Sequence, residues 1–208
     1  MDFFTAPPAR DREPEEEKAH PPWMGPPDAV LGRTVDIGRT LFRSEALVVV
    51  LTSAVAFPEG AKLHLRIAAR PVEGMNKDTW WERRDLMFER SHSRFRPGKA
   101  LEDEILRFGV RFSDGGKATT VDGRPHHDGE WPPPPPDGPV LQQHGGGGGS
   151  GSDRLISLSW NLWLWPLPPA EPFEVAVEWP AFDVPLTFTE IDGAAIAAAA
   201  EHARPYWP

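Results

Sequence analysis

The chain has 208 residues and a hydrophobic fraction of 39%, which suits one domain with a sizeable core. Its formal net charge is −9, so its field repels phosphate backbones and nucleic acid is not an expected partner. It contains no cysteine, which excludes disulfides, cysteine-ligated zinc and thiolate catalysis.

The first 20 residues predict a disordered arm. Prolines at Pro7, Pro8 and Pro14 remove backbone donors, and Glu13 with the acidic residues 15–17 adds repulsion. This start has no positive n-region and no apolar h-region, and no apolar run of the chain approaches the ~18 residues of a membrane span. We therefore expect a cytoplasmic protein with no membrane span.

Residues 21–27 differ from the arm because they are apolar, stiff and carry Trp23. A proline-rich segment of this kind can dock an aromatic side chain against a folded body. The folded part is predicted to begin near Val30.

Three strands are predicted in the first part of the domain. Residues 31–43 form the first, and residues 47–51 are apolar on both faces, as in a central strand. Residues 61–70 alternate apolar and polar side chains, which indicates one buried and one solvated face. The turn at Pro58 makes the last two a hairpin.

Residues 71–103 interrupt the strand pattern and predict a loop insertion. Within them, Thr79 and Glu82 have the spacing of a capping box, which predicts a short helix that ends at Phe88.

The middle of the chain predicts a hairpin of strands 104–112 and 117–121, a loop over 122–138 and a short strand over 139–143. The loop contains a run of five prolines at 132–136. The glycine-rich residues 144–152 predict a flexible loop.

Alternation is clearest in residues 154–165, where every even position from Ile156 to Leu164 is apolar. The odd face ends with Trp163 and Trp165. Strands over 173–179 and 184–188 follow. Asp192 is the predicted N-cap of a helix that is stopped at Arg204-Pro205.

These elements predict a mainly β fold: a single antiparallel β-sandwich of about eight or nine strands, with a short C-terminal helix and a proline-rich N-terminal arm. The predicted organisation is an arm at 1–20 and a sandwich domain at 21–208, with insertions at 71–103, 122–138 and 144–152.

The Trp23-Met24-Gly25-Pro26-Pro27 segment, residues 106–110, residues 163–169 and Glu178-Trp179-Pro180 resemble a family of uncharacterised bacterial β-rich proteins with Trp/Pro motifs. The resemblance covers most of residues 21–208. It implies a natural single domain and a natural glycine loop, and it implies no activity, ligand or catalytic residue.

The nine tryptophans are the strongest functional indication. Trp163 and Trp165 lie opposite the inward face of their strand, so a second layer must cover them. That cover is either internal, from residues 21–27 or the C-terminal helix, or it is a partner, since exposed apolar patches commonly bind something. The leading hypothesis is a non-catalytic protein that binds a protein partner or itself through an aromatic and proline-rich surface. Its candidate binding residues are Trp23, Trp80, Trp81, Trp131, Trp163 and Trp165.

Two alternatives remain open. One is a carbohydrate- or small-ligand-binding sandwich in which Trp80, Trp81 and Trp131 stack on the ligand. The other is a hydrolase or metal enzyme, whose candidate cluster is His126, His127 and Asp128. Adjacent side chains rarely converge on one ion, so the sequence assigns no catalytic residue, metal ligand or cofactor.

Basic side chains line two of the predicted strands: Lys62, His64 and Arg66 on one, and Arg107 and Arg111 on another. Neighbouring strands would combine them into a strip for an acidic partner or a small anion. The favoured interpretation is solubility and protection of a sheet edge by charge.

Overall fold

The structure is a computed structural model, which describes residues 20–89, 100–122, 132–145 and 147–207. These residues are mainly β, as predicted, with 46% of the structure in strands and 14% helical. Every strand pair is antiparallel. The strands are β1 (Val30–Leu31), β2 (Arg33–Arg43), β3 (Leu47–Phe57), β4 (Gly60–Ala69), β5 (Arg107–Arg111), β6 (Lys117–Thr119), β7 (Val140–Gln143), β8 (Gly149–Gly151), β9 (Ile156–Trp165), β10 (Phe173–Trp179), β11 (Val184–Ile191) and β12 (Arg204–Pro205).

The strands form two large sheets and one small one. The larger sheet has the order β2-β3-β4-β9-β7, with β8 also paired to β9, and the second has the order β11-β10-β5-β6. Strands β1 and β12 pair separately. One buried apolar cluster draws side chains from both large sheets, and Phe108 of β5 contacts Trp160 of β9 with ring centroids 6.3 Å apart.

The apolar patterns explain where the large strands lie. Strand β3 lies inside its sheet between β2 and β4, as its two apolar faces predict, and it continues to Phe57. On β9, all even positions from Ile156 to Leu164 are buried. The twelve strand segments exceed the predicted eight or nine because β1, β8 and β12 have only two or three residues each.

Helix α1 spans Lys77–Glu89 and begins before the predicted cap. The Oδ1 atom of Asn76 accepts a hydrogen bond from the backbone N–H of Thr79 at 2.8 Å, so Asn76 fills the capping role. The prediction that Thr79 caps this helix was wrong, because the helix begins two residues before Thr79 and the backbone N–H of Thr79 is itself one of the first-turn donors that Asn76 caps. The buried side chains of Trp80 and Met87 pack the helix against the core.

Helix α2 spans Gly193–Ala200, and its predicted N-cap is confirmed. The Oδ1 atom of Asp192 accepts from the backbone N–H groups of Ala194 at 2.9 Å and Ala195 at 3.4 Å. The helix ends at Ala200, before the predicted stop at Arg204-Pro205, and those two residues pair with Val30–Leu31 as β12.

The glycine-rich segment is partly a strand rather than a wholly flexible loop. Gly149–Gly151 pairs with β9 beneath α1. A Cβ atom on Gly149 would lie 2.5 Å from Cε1 of Phe88 and 2.6 Å from Cδ2 of Leu158. The indole of Trp80 donates to the carbonyl of Ser152 at 3.3 Å, so α1 and this segment fix each other.

Parts of the predicted organisation lie outside the described residues, namely positions 1–19 of the arm, residues 90–99 of the insertion at 71–103 and residues 123–131 of the insertion at 122–138. Within the described ranges, no helix has the length and apolar character to cross a membrane.

Candidate functional site

Residues 21–27 form a strap across the outer face of the larger sheet. Side chains of β7 and β9 donate hydrogen bonds to the backbone carbonyl groups of the strap. Trp163 Nε1 donates to the carbonyl oxygen of Pro22 at 2.9 Å. Gln142 Nε2 donates to the carbonyl oxygens of Met24 at 2.8 Å and Trp23 at 3.1 Å.

Trp163 lies completely beneath the strap, with a relative exposure of 0%. Its ring meets Phe57 edge-on at a centroid distance of 5.8 Å. Gly60 makes room for the indole, since a Cβ there would lie 2.5 Å from Cζ2 of Trp163. The chain therefore covers Trp163 internally, and its indole is not part of the exposed surface.

Trp165 is half-buried and lies against the strap. Trp23 packs edge-on against it, with ring centroids 5.9 Å apart. The other side of Trp165 lines an open groove of about 460 Å³. Its further apolar walls are Phe112, Pro136, Pro139, Pro166, Leu167 and Pro169.

Among the described residues that line the groove there are two acidic side chains and no basic one. Asp114 and Asp137 lie at its wall, and both are exposed. The carboxylate of Asp114 is held in place because Oδ1 accepts from the backbone N–H of Gly116 at 2.8 Å. Such a groove suits an extended apolar segment that carries a positive charge.

The remaining candidate tryptophans do not join this groove. Trp80 is 4% exposed and belongs to the core, so its ring is not available as a stacking platform. Trp81 is 37% exposed, and the guanidinium of Arg84 lies 4.5 Å from its ring centroid. Trp131 lies outside the described residues.

The candidate metal cluster of His126, His127 and Asp128 also lies outside the described residues. Elsewhere in the described ranges, no three His, Asp or Glu side chains come together in a way that could hold a metal ion.

The two sets of basic residues lie on different sheets, so they do not combine into the basic strip that neighbouring strands would have formed. On the second sheet, Arg107 is paired with Glu178 and Arg111 with Glu174, each with an N–O distance of 2.6 Å. Lys62, His64 and Arg66 lie on β4 in the interior of the larger sheet. Edge protection therefore does not explain them, because β4 is bordered by β3 and β9.

His64 has an unusual electrostatic environment. Burial lowers its pKa, the nearby Lys62 ammonium lowers that pKa further, and a hydrogen bond with Asn161 partly offsets both effects. Thus the neutral form of His64 is favoured in this environment.

The sequence analysis missed the groove because its walls come from three separate stretches of the chain. Phe112 ends the strand before a hairpin turn, and the prolines come from the loops around positions 136 and 166. These prolines were predicted only as turns and loops. The density of prolines near Trp165 was the one available signal.

Comparison with known proteins gives no relative: no family model, no curated protein and no solved structure matches this chain. The resemblance to a bacterial Trp/Pro family stays a prediction.

Proposed function

We propose that this protein is a non-catalytic, cytoplasmic interaction module that binds a polypeptide through the groove beside Trp165. In this proposal the two larger sheets are the layers of one sandwich that displays the groove. The supporting observation is the placement of Trp165, which Trp23 holds edge-on at the wall of an open apolar groove.

The chemistry of the walls favours a peptide over a sugar. Proline rings provide flat apolar surface, and their nitrogen atoms cannot donate hydrogen bonds. Aromatic grooves with apolar walls take extended proline-rich segments, which lose little entropy on binding. Asp114 and Asp137 add a preference for a basic residue beside the prolines.

The test uses a synthetic peptide of eight prolines that ends in arginine, titrated into the full chain by calorimetry. We expect Trp165→Ala to weaken binding about tenfold or more, as expected for loss of a central aromatic contact. Trp81→Ala is the matched control because its ring lies outside the groove, and we expect it to bind like the unchanged protein.

Light scattering across a concentration series tests the self-binding form of the proposal. A concentration-dependent mass that Trp165→Ala abolishes would support self-association through the groove. A constant monomer mass together with no heat from the peptide would refute the proposed function. Near-UV circular dichroism checks that the Trp165→Ala variant keeps its fold.

A further inference from the structure

The outer face of the second sheet exposes two large apolar side chains on its edge strand β11. Leu186 is 56% exposed and Phe188 is 41% exposed. Both point away from the core, since Phe188 is the cross-strand neighbour of Ala176 and the alternate residues of β10 fill the core. Neighbouring apolar side chains on an exposed sheet face can mark a contact surface.

A row of four charged side chains crosses the same face at one level of the sheet. In strand order it consists of Glu190 on β11, Glu174 on β10, Arg111 on β5 and Lys117 on β6, and each residue is the cross-strand neighbour of the next. We call these four residues the charge row. Its two carboxylates lie on one half of the face, and its two cations lie on the other half.

This order of charges is self-complementary. The boundary between the two halves lies between β10 and β5, which is the midline of the four-stranded sheet. A two-fold axis approximately along that midline brings a second copy face to face with the first and exchanges the halves. Lys117 of each copy then faces Glu190 of the other. We propose that a second copy of this chain docks on the outer face of the second sheet in this arrangement.

The next row of side chains allows the two faces to approach closely. In strand order it consists of Phe188, Ala176, Gly109 and Thr119, so the smallest side chains lie at the midline. The nearest described atom to a Cβ on Gly109 would be 3.5 Å away, so packing within the chain does not require glycine there. The same two-fold axis places Phe188 of each copy against Thr119 of the other, which covers the exposed ring.

The balance of charge on this face also favours a second copy. All the charged side chains of its four strands form three acidic and three basic groups, namely Glu174, Glu178, Glu190, Arg107, Arg111 and Lys117. The whole chain has a net charge of −9, which makes two copies repel each other. That repulsion is smallest when the copies approach through a face whose own charges cancel.

The size of the face sets the strength of the expected dimer. Four strands span about 19 Å, and the eight residues of β11 extend over about 26 Å. Two faces of this size bury an area near the lower limit of specific interfaces. We therefore expect a weak, reversible dimer that forms at high concentration, with the monomer prevailing in dilute solution.

Charge reversal across the two-fold axis tests the proposal, with sedimentation velocity of the full chain as the measurement. Glu190→Lys brings two cations together at both equivalent contacts of the dimer, and Lys117→Glu brings two carboxylates together there. We expect each variant to weaken dimerisation about tenfold or more. An equal mixture of the two variants should recover the dimer, because each contact of the heterodimer then joins one cation to one carboxylate.

Three further variants locate the contact. Glu201→Lys changes the net charge as Glu190→Lys does, but it lies at the end of α2, so it should dimerise at least as well as the unchanged chain. Phe188→Ala should weaken the dimer about tenfold through loss of an aromatic contact. Trp165→Ala should leave the dimer intact, which separates this face from the groove. Near-UV circular dichroism checks that each variant keeps its fold.

The proposal fails if the chain stays monomeric at every concentration up to about 1 mM. It also fails if the dimer survives both charge reversals, or if the mixture of the two variants does not recover it. A dimer that only Trp165→Ala abolishes would assign self-association to the groove instead.

Discussion

Gly149 shows how one missing side chain decides the packing of a helix on a sheet. A Cβ atom there would lie 2.5 Å from Phe88 and 2.6 Å from Leu158, well inside contact distance. Gly148, its neighbour, has no atom within 4 Å of the same position. Close packing therefore requires glycine at position 149, whereas position 148 has room for a side chain.

We expect Gly149→Ala to lower the free energy of unfolding by about 1–3 kcal/mol, because the added methyl group forces Phe88 or Leu158 to move. Gly148→Ala should change it by less than about 0.5 kcal/mol. Urea unfolding measures both. Equal stability of the two variants would contradict the packing of α1 on β8.

Trp163 and Trp165 show what a residue pattern can and cannot predict. Alternation along residues 154–165 placed both rings on the face opposite the core, and the structure agrees. Their exposure differs because the strap covers Trp163 fully, whereas Trp165 contacts the strap only through the edge of Trp23 and stays half-buried. That difference depends on a contact across more than a hundred residues, which no local pattern encodes.

At the scale of elements, helix α1 is capped by a residue that the sequence analysis did not single out. The sequence favours Thr79, whereas the structure uses Asn76, whose Oδ1 lies 2.8 Å from the backbone nitrogen of Thr79. Both residues are of types that cap helices well, so spacing alone could not choose between them.

We expect Asn76→Ala to lower the free energy of unfolding by about 1 kcal/mol through loss of this cap. Thr79→Ala should cost less than about 0.5 kcal/mol, since its hydroxyl has no capping role in the structure. Thermal unfolding followed by circular dichroism compares them. A larger loss of stability in Thr79→Ala than in Asn76→Ala would show that Thr79 caps the helix, as the sequence predicts.

Long strands were predictable from sequence, whereas the two- and three-residue strands β1, β8 and β12 were not. The period of two requires several residues to be recognised, and β2, β3, β4, β9, β10 and β11 each provide seven or more. Strands β8 and β12 have three and two residues, and they exist because β9 and β1 offer them partners. Pairing of this kind is a tertiary property.

At the scale of the molecule, the two large sheets depend on one shared core. Phe108 reaches from the second sheet to Trp160 of the first, and both rings are nearly excluded from solvent. A core built from both layers predicts that they unfold together.

We expect Phe108→Ala to lower the free energy of unfolding by about 3–5 kcal/mol because it opens a cavity between the sheets. Phe188→Ala is the control: its ring lies on the outer face of the second sheet, 41% exposed, and contacts Arg111. Its loss should cost about 1 kcal/mol or less. Tryptophan fluorescence and far-UV circular dichroism should report coincident transitions in both variants, and separate transitions would refute a shared core.

The strap is recognised by its main chain rather than by most of its side chains. Trp163 and Gln142 both donate to peptide oxygens, which every amino acid possesses. Three strap residues are tied more closely to their identity: the buried Pro21, Trp23 through its ring, and Gly25, which lies against His144. Across evolutionary time, the strap can therefore vary widely at its other positions while the two donors beneath it stay constant.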